Sequence, residues 1–238
     1  MGTLLKTLVL SGLFVLTCSG YGSAQMDWLY IGGPSPTDGF ANHESKQSLD
    51  DPYRRVRIAY VPTRREIQRL EAAYIGQLSI SDPAMAVSIG SLYEQLGYRE
   101  IVKKRTEAIL NQVGLTTSDV GDVVAFFLTR SSQVRSGDLA LPDENEILVI
   151  RRQVVRDFLA PAGVLDMSAQ ERFEYAYPYL VSLGTQSLIL SANAGALDGD
   201  QALRADFVND NDLIASAVLG LDLSQIQITD GELARTSN

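Results

Sequence analysis

The chain has 238 residues, 45% hydrophobic and 21% charged, with a formal net charge of −9, one His and one Cys. That balance fits a globular protein of one domain, or at most two, and excludes collagen-like, disulfide-rich and polytopic membrane classes. The acidic excess also argues against nucleic acid as a partner. Phosphate needs net positive charge or a strong basic stripe, and here Arg54-Arg55, Arg64-Arg65 and Lys103-Lys104-Arg105 are scattered among acids.

Residues 1–6 carry one lysine, and residues 7–17 (TLVLSGLFVLT) are an apolar run. A spanning helix needs roughly 20 apolar residues, so this run suits the core of a secretory signal instead. Gly22 and Ala24 stand where a signal peptidase wants small residues before Gln25. Residues 1–24 are therefore expected to be a cleaved signal peptide, and the protein to be exported to the periplasm or the medium. Cys18 opens a second route, lipid attachment. The lipoprotein pattern wants a smaller residue where Thr17 stands, so a membrane partner is expected only if Cys18 is lipidated. Residues 25–55 read as a flexible leader, with GGPSPTDG and His43 in polar surroundings. Trp28-Leu29-Tyr30-Ile31 is its one apolar patch.

A domain over residues 56–233 follows, then a tail over 234–238. VRIAYV (56–61) alternates like a short extended segment ahead of Pro62. Thr63 and Glu66 form a capping box for a helix with Ile67, Leu70, Tyr74 and Leu78 on one face. Asp82-Pro83 caps the next helix, which carries Met85, Ile89, Leu92 and Leu96 and bends or ends at Gly97. Another runs from Tyr98 to Val113 and stops at Gly114. Ser118 is expected to cap a helix with Val120, Val123, Val124, Phe127 and Leu128 at amphipathic spacing. Pro142 or Asp143 opens the next, with Ile147, Ile150, Val154 and Phe158. Ser168 and Glu171 form a second capping box, and that helix runs toward Ser191 with Pro178 inside. ALDGDQ reads as a turn. The last helix covers about 201–219, and residues 221–232 alternate weakly, fit to lie across the bundle. The whole predicts an all-α, single-domain bundle of about seven helices.

The composition removes several chemistries. A Cys nucleophile is missing once Cys18 is cleaved away, and a Ser-His-Asp triad would have to use His43. A structural zinc site wants four Cys or His ligands. The segments Asp198-Gly-Asp200 and Asn209-Asp-Asn-Asp212 fail the EF-hand pattern, since its fifth position falls on Ala202 or Leu213. No metal and no cofactor are expected. Glu171 and Glu174 share a helix face and offer two carboxylates for acid–base work, although acids in a first turn also complement the helix dipole. Tyr175 and Tyr179 face one way and suit packing or stacking on a ligand.

The sharpest local signal is Arg151. On a helical wheel it is surrounded by Ile147, Leu148, Val154, Val155 and Phe158. A buried guanidinium needs a partner. Asp210 lies between Leu203, Phe207 and Ile214 on the last helix, so the two are expected to approach each other. An internal ion pair is the blander reading of Arg151 and Asp210. A site for an anionic or carboxylate ligand is the functional one.

Three stretches carry a resemblance: Gly114-Leu115 with Ser118-Asp119-Val120, Ile150-Arg-Arg-Gln-Val-Val-Arg156, and Gly220-Leu-Asp-Leu223 with Ile228-Thr-Asp-Gly231. Over about residues 56–233 they resemble a family of uncharacterised exported bacterial proteins, a domain of unknown function. The resemblance implies a helical domain behind a signal peptide and brings no catalytic or ligand residues. The functional expectation is an exported, non-catalytic envelope binding or interaction protein, its partner an unknown protein or small molecule. The alternatives are a carboxylate-based cell-envelope hydrolase and a secreted effector.

Overall fold

A computed structural model describes Tyr53 and residues 56–138, 140–229 and 231–235, without the side chains of 192–196, 198, 199 and 235. The expected signal peptide, Cys18, His43 and the Trp28–Ile31 patch lie outside the described residues, as does nearly all of the leader.

The extended segment 56–60 forms one β-bridge, Ala59 opposite Asp119, flanked by bonds from the Tyr60 amide to the Ser118 carbonyl at 3.2 Å and from the Val120 amide to the Ile58 carbonyl at 3.0 Å. The helix α1 (Arg64–Ser81) then starts at the expected capping box: the Glu66 amide donates to Thr63 Oγ1 at 3.3 Å, and the Thr63 amide donates to Glu66 Oε2 at 2.9 Å. Asp82 accepts from the Ala84 and Met85 amides and Pro83 stands at the first turn, which opens α2 (Pro83–Tyr98). Gly97 interrupts α2 with φ +70° and ψ 162°, a conformation only glycine adopts without strain. The chain resumes as an over-wide π-type helix (Arg99–Thr106) and ends in α3 (Glu107–Gln112).

The helix α4 (Val120–Ser136) is the centre of the bundle, and every residue from Val120 to Ser131 is buried. It packs against α5 (Glu144–Val154), α6 (Ala169–Gly199), α7 (Gln201–Ile214) and the strand β1 (Ile226–Thr229). Pro178 is accommodated within α6, which also meets α1 and the 99–106 segment. Short π-type stretches extend α5 (Val155–Leu159) and α7 (Ala215–Leu219). Such turns leave the usual helical register and are rare. The strand β1 pairs antiparallel with β2 (Glu232–Arg235) in a hairpin. The Gln153 side chain clamps it, accepting from the Leu233 amide at 2.8 Å and donating to the Leu233 carbonyl at 2.6 Å.

The fold is mostly helical, as the periodicity predicts, and the two-stranded sheet at 226–235 is an addition to that expectation. Among the described residues there are six continuous helical runs rather than about seven, because 83–112 continues past its bend at Gly97. The expected turn over ALDGDQ reduces to Asp200, since α6 persists to Gly199 and Asp200 caps α7 through the Ala202 and Leu203 amides. Ser118 does not cap α4. Asp119 does, accepting from the Asp122 amide at 3.2 Å. No helix among the described residues is long and apolar enough to cross a membrane.

Candidate functional site

Arg151 is buried, as its place on the helical wheel requires, but its partners are not the expected one. Its Nε donates to Asp122 Oδ1, and its Nη2 donates to Asp119 Oδ1 at 3.0 Å and to the Val56 carbonyl at 2.9 Å. The second oxygen of each carboxylate is also engaged. The Ile58 amide donates to Asp119 Oδ2 at 2.6 Å and the Thr116 amide to Asp122 Oδ2 at 2.9 Å. One guanidinium therefore ties the extended segment, the 115–119 turn, the start of α4 and the last turn of α5 into a single knot. A Cβ at Gly121 would come within 2.9 Å of Val155 Cγ2 and 3.3 Å of Arg151 Nη2, so close approach demands glycine there.

Among the described residues, two carboxylates share one cation. Burial and the neighbouring Asp119 lift the Asp122 carboxyl above the ordinary aspartate value, although Arg151 pulls the other way. Burial works against the Arg151 charge, but Asp119 and Asp122 together hold it more firmly protonated than a free arginine. Breaking such a pair from one side leaves an uncompensated buried charge and costs about 3–5 kcal/mol.

The expected pairing of Arg151 with Asp210 is therefore corrected. Asp210 sits on α7, which packs on α6 and α4, whereas Arg151 faces the N-terminal end of α4 from α5. Asp210 is 7% exposed, and its Oδ2 has no hydrogen-bond partner among the described residues. Burial, then Asp206 and Asp82, push its carboxyl from the usual 3.8 to about 6. Its neighbour Asn211 is tied in, accepting from Gln186 Nε2, which also reaches Ser131 Oγ at 3.2 Å.

The other sequence candidates resolve locally. Glu171 is exposed and closes the second capping box with Ser168, whose hydroxyl and amide hold the carboxyl below the ordinary glutamate value. Glu174 pairs with Arg69 of α1 and accepts from Gln170 at 3.1 Å. Tyr175 and Tyr179 stack on each other, and Tyr179 meets Phe127 edge-on. Asn209–Asp212 lie within α7 rather than on a loop. Among the described residues no group of three or more His, Cys, Asp or Glu is placed to hold a metal ion.

A second polar cluster escaped the sequence reading. Where α1, α2 and α6 meet, Tyr74, Tyr93 and Tyr177 are buried. Tyr98 stacks on Tyr177 with ring centroids 5.9 Å apart, and Phe173 packs edge-on against both. Tyr74 shares a 3.2 Å hydrogen bond with Ser182. The Tyr93 and Tyr177 hydroxyls are fully buried and have no hydrogen-bond partner among the described residues. A buried hydroxyl left without a partner costs about 1–3 kcal/mol. Glu71 of α1 lies within electrostatic reach of both, and burial together with Glu94 raises its carboxyl above the ordinary value. Only Tyr74 stands on an apolar stripe read from the sequence, and nothing in the spacing separates an orphan hydroxyl from a satisfied one.

No family model, no curated protein and no solved structure matches this chain.

Proposed function

We propose that the chain is an exported, non-catalytic binding or interaction protein of the cell envelope, like the uncharacterised exported proteins its short motifs resemble. Export rests on the apolar run over 7–17 and the small residues before Gln25. The non-catalytic part is carried by one observation: Arg151, Glu171 and Glu174, three of the charged groups that the sequence offers for chemistry, are spent on the fold. Arg151 is held by two carboxylates and a carbonyl. Glu171 closes a helix cap and Glu174 an ion pair, which takes from the hydrolase reading the pair it needs free. The only His and Cys of the chain, His43 and Cys18, precede the domain.

Mass measurement on protein recovered from culture medium, envelope and cytosol of its host tests this reading. The expected chain begins at Gln25 and is found outside the cytosol, while a lipid increment on Cys18 would place it on the membrane. An intact Met1 chain confined to the cytosol would overturn export. Turnover of envelope polymers by the purified protein would overturn the non-catalytic part.

A further inference from the structure

The interior of the bundle is divided in two. Most buried apolar side chains form one continuous core. Val134 of α4, Ile189 and Leu197 of α6 and Phe207 of α7 form a second, smaller cluster, with Leu190, Leu203 and Val208 packed against it. On each of the three helices a buried polar residue stands between the two clusters: Ser131 between Leu128 and Val134, Gln186 between Leu183 and Ile189, and Asp210 and Asn211 between Phe207 and Ile214. Gln186 Nε2 donates to Ser131 Oγ at 3.2 Å and to Asn211 Oδ1, so this polar layer crosses from α4 through α6 to α7. Two of its acceptors, Gln186 Oε1 and Asp210 Oδ2, are buried with no hydrogen-bond partner among the described residues.

We propose that Asp210 is a proton-operated latch on the tip formed by the end of α6 and the first half of α7: neutral, it keeps the tip closed on α4, and charged, it lets the tip open. A carboxylate in this layer would be a buried charge without a counter-ion, which the fold relieves by protonation or by opening to water. Among the described residues, the charges that bear on it are the acids Asp206, one turn back on α7, and Asp82 at the start of α2. Arg135 of α4 is committed to Asp212 at 2.5 Å, α6 faces the layer with the neutral Gln186, and the 215–219 stretch carries no titratable side chain. Burial and the two acids raise the carboxyl from 3.8 to about 6. The tip can respond as a unit, because it has an apolar cluster of its own and its two arms are tied to each other by Arg204, which donates to the Leu197 carbonyl at 2.9 Å. The arms meet at Asp200, where the backbone leaves the helical region (φ −115°, ψ 103°). Units of this kind open at lower free energy than the whole fold. Opening hydrates the carboxyl and returns it toward 3.8, so the closed form binds the proton more tightly. Closure is therefore strongest below about pH 4 and weakens as pH rises through about 6.

The latch is independent of export and of any partner. The test is hydrogen–deuterium exchange of the purified chain, resolved by peptide and corrected for the intrinsic pH dependence of exchange, at about pH 5 and about pH 8. The opening equilibrium of peptides within 189–208 should rise about tenfold between the two, with α5 unchanged. Asp210→Asn keeps the shape of the side chain and cannot ionise, so its tip should show equal corrected protection at both. Asp210→Leu serves as a second neutral form should the first lose cooperative thermal unfolding. Protection of 189–208 that ignores pH in the wild-type chain, a change of equal size throughout the chain, or a change that persists in the neutral forms would overturn the proposal.

Discussion

The Arg151 knot and the Tyr93–Tyr177 junction are both polar clusters inside one helical bundle, and they are built in opposite ways. In the knot, the donors and acceptors interlock. Asp119 receives Ile58, Asp122 and Arg151, while Asp122 receives Thr116 and Arg151. In the junction two hydroxyls are buried with no hydrogen-bond partner among the described residues. Both look alike from outside, as polar residues on apolar helix faces. The difference teaches that burial of a polar group marks a candidate site only when its bonding capacity is unspent. A saturated network spends its groups on holding elements together, here two helices, a turn and an extended segment.

The largest expected effect comes from cutting the knot. Among the described residues Arg151 is the one cation paired with Asp119 and Asp122, and Arg151→Met should destabilise the protein by about 3–5 kcal/mol, read by denaturant unfolding. A neutral outcome would mean that Arg151 is exposed in solution and free for a ligand. Asp210 provides the opposite sign. Its carboxyl is raised from 3.8 to about 6, so the folded state binds the proton more tightly than the unfolded state does. That contribution to stability is complete below about pH 4 and is lost as pH rises through about 6. Asp210→Asn should remove this dependence and stabilise the protein at pH 8 by about 2–3 kcal/mol, measured as unfolding free energy across the range. An unchanged pH profile would show that Asp210 is well solvated.

Smaller changes probe geometry. Gly121→Ala would push a methyl group against Val155 and the Arg151 guanidinium, at a cost of about 2 kcal/mol in thermal or chemical unfolding. Thr63→Ala deletes the cap of α1 and should cost about 1 kcal/mol. If Gly121→Ala costs no more than the cap deletion, the knot is looser than its distances imply.

Much of the local structure was legible in the sequence, because its causes are local. Thr63–Glu66, Ser168–Glu171 and Asp82-Pro83 act within a few residues, and each forms as read. The burial of Arg151 followed from its neighbours on one helix. Its partners did not, because Asp119 and Asp122 belong to another element, and Ser118 offered a competing cap one residue earlier. Asp210 satisfied the same wheel argument yet faces a different part of the bundle, since periodicity fixes a face but not the helix it meets. The length of α6 was underestimated because Gly195, Asp198 and Gly199 carry turn chemistry that tertiary packing overrode. The orphan hydroxyls were out of reach altogether. They depend on three helices and on the bend at Gly97.

The claim that Arg151 is neutralised by the start of α4 is tested most directly by a double-mutant cycle between Arg151→Met and Asp122→Leu, with Arg151→Met and Asp210→Asn as the parallel cycle. The expected result is strong coupling in the first cycle, about 2 kcal/mol, and additivity within about 0.5 kcal/mol in the second. Additivity in the first cycle with coupling in the second would place Arg151 against Asp210 and contradict the knot.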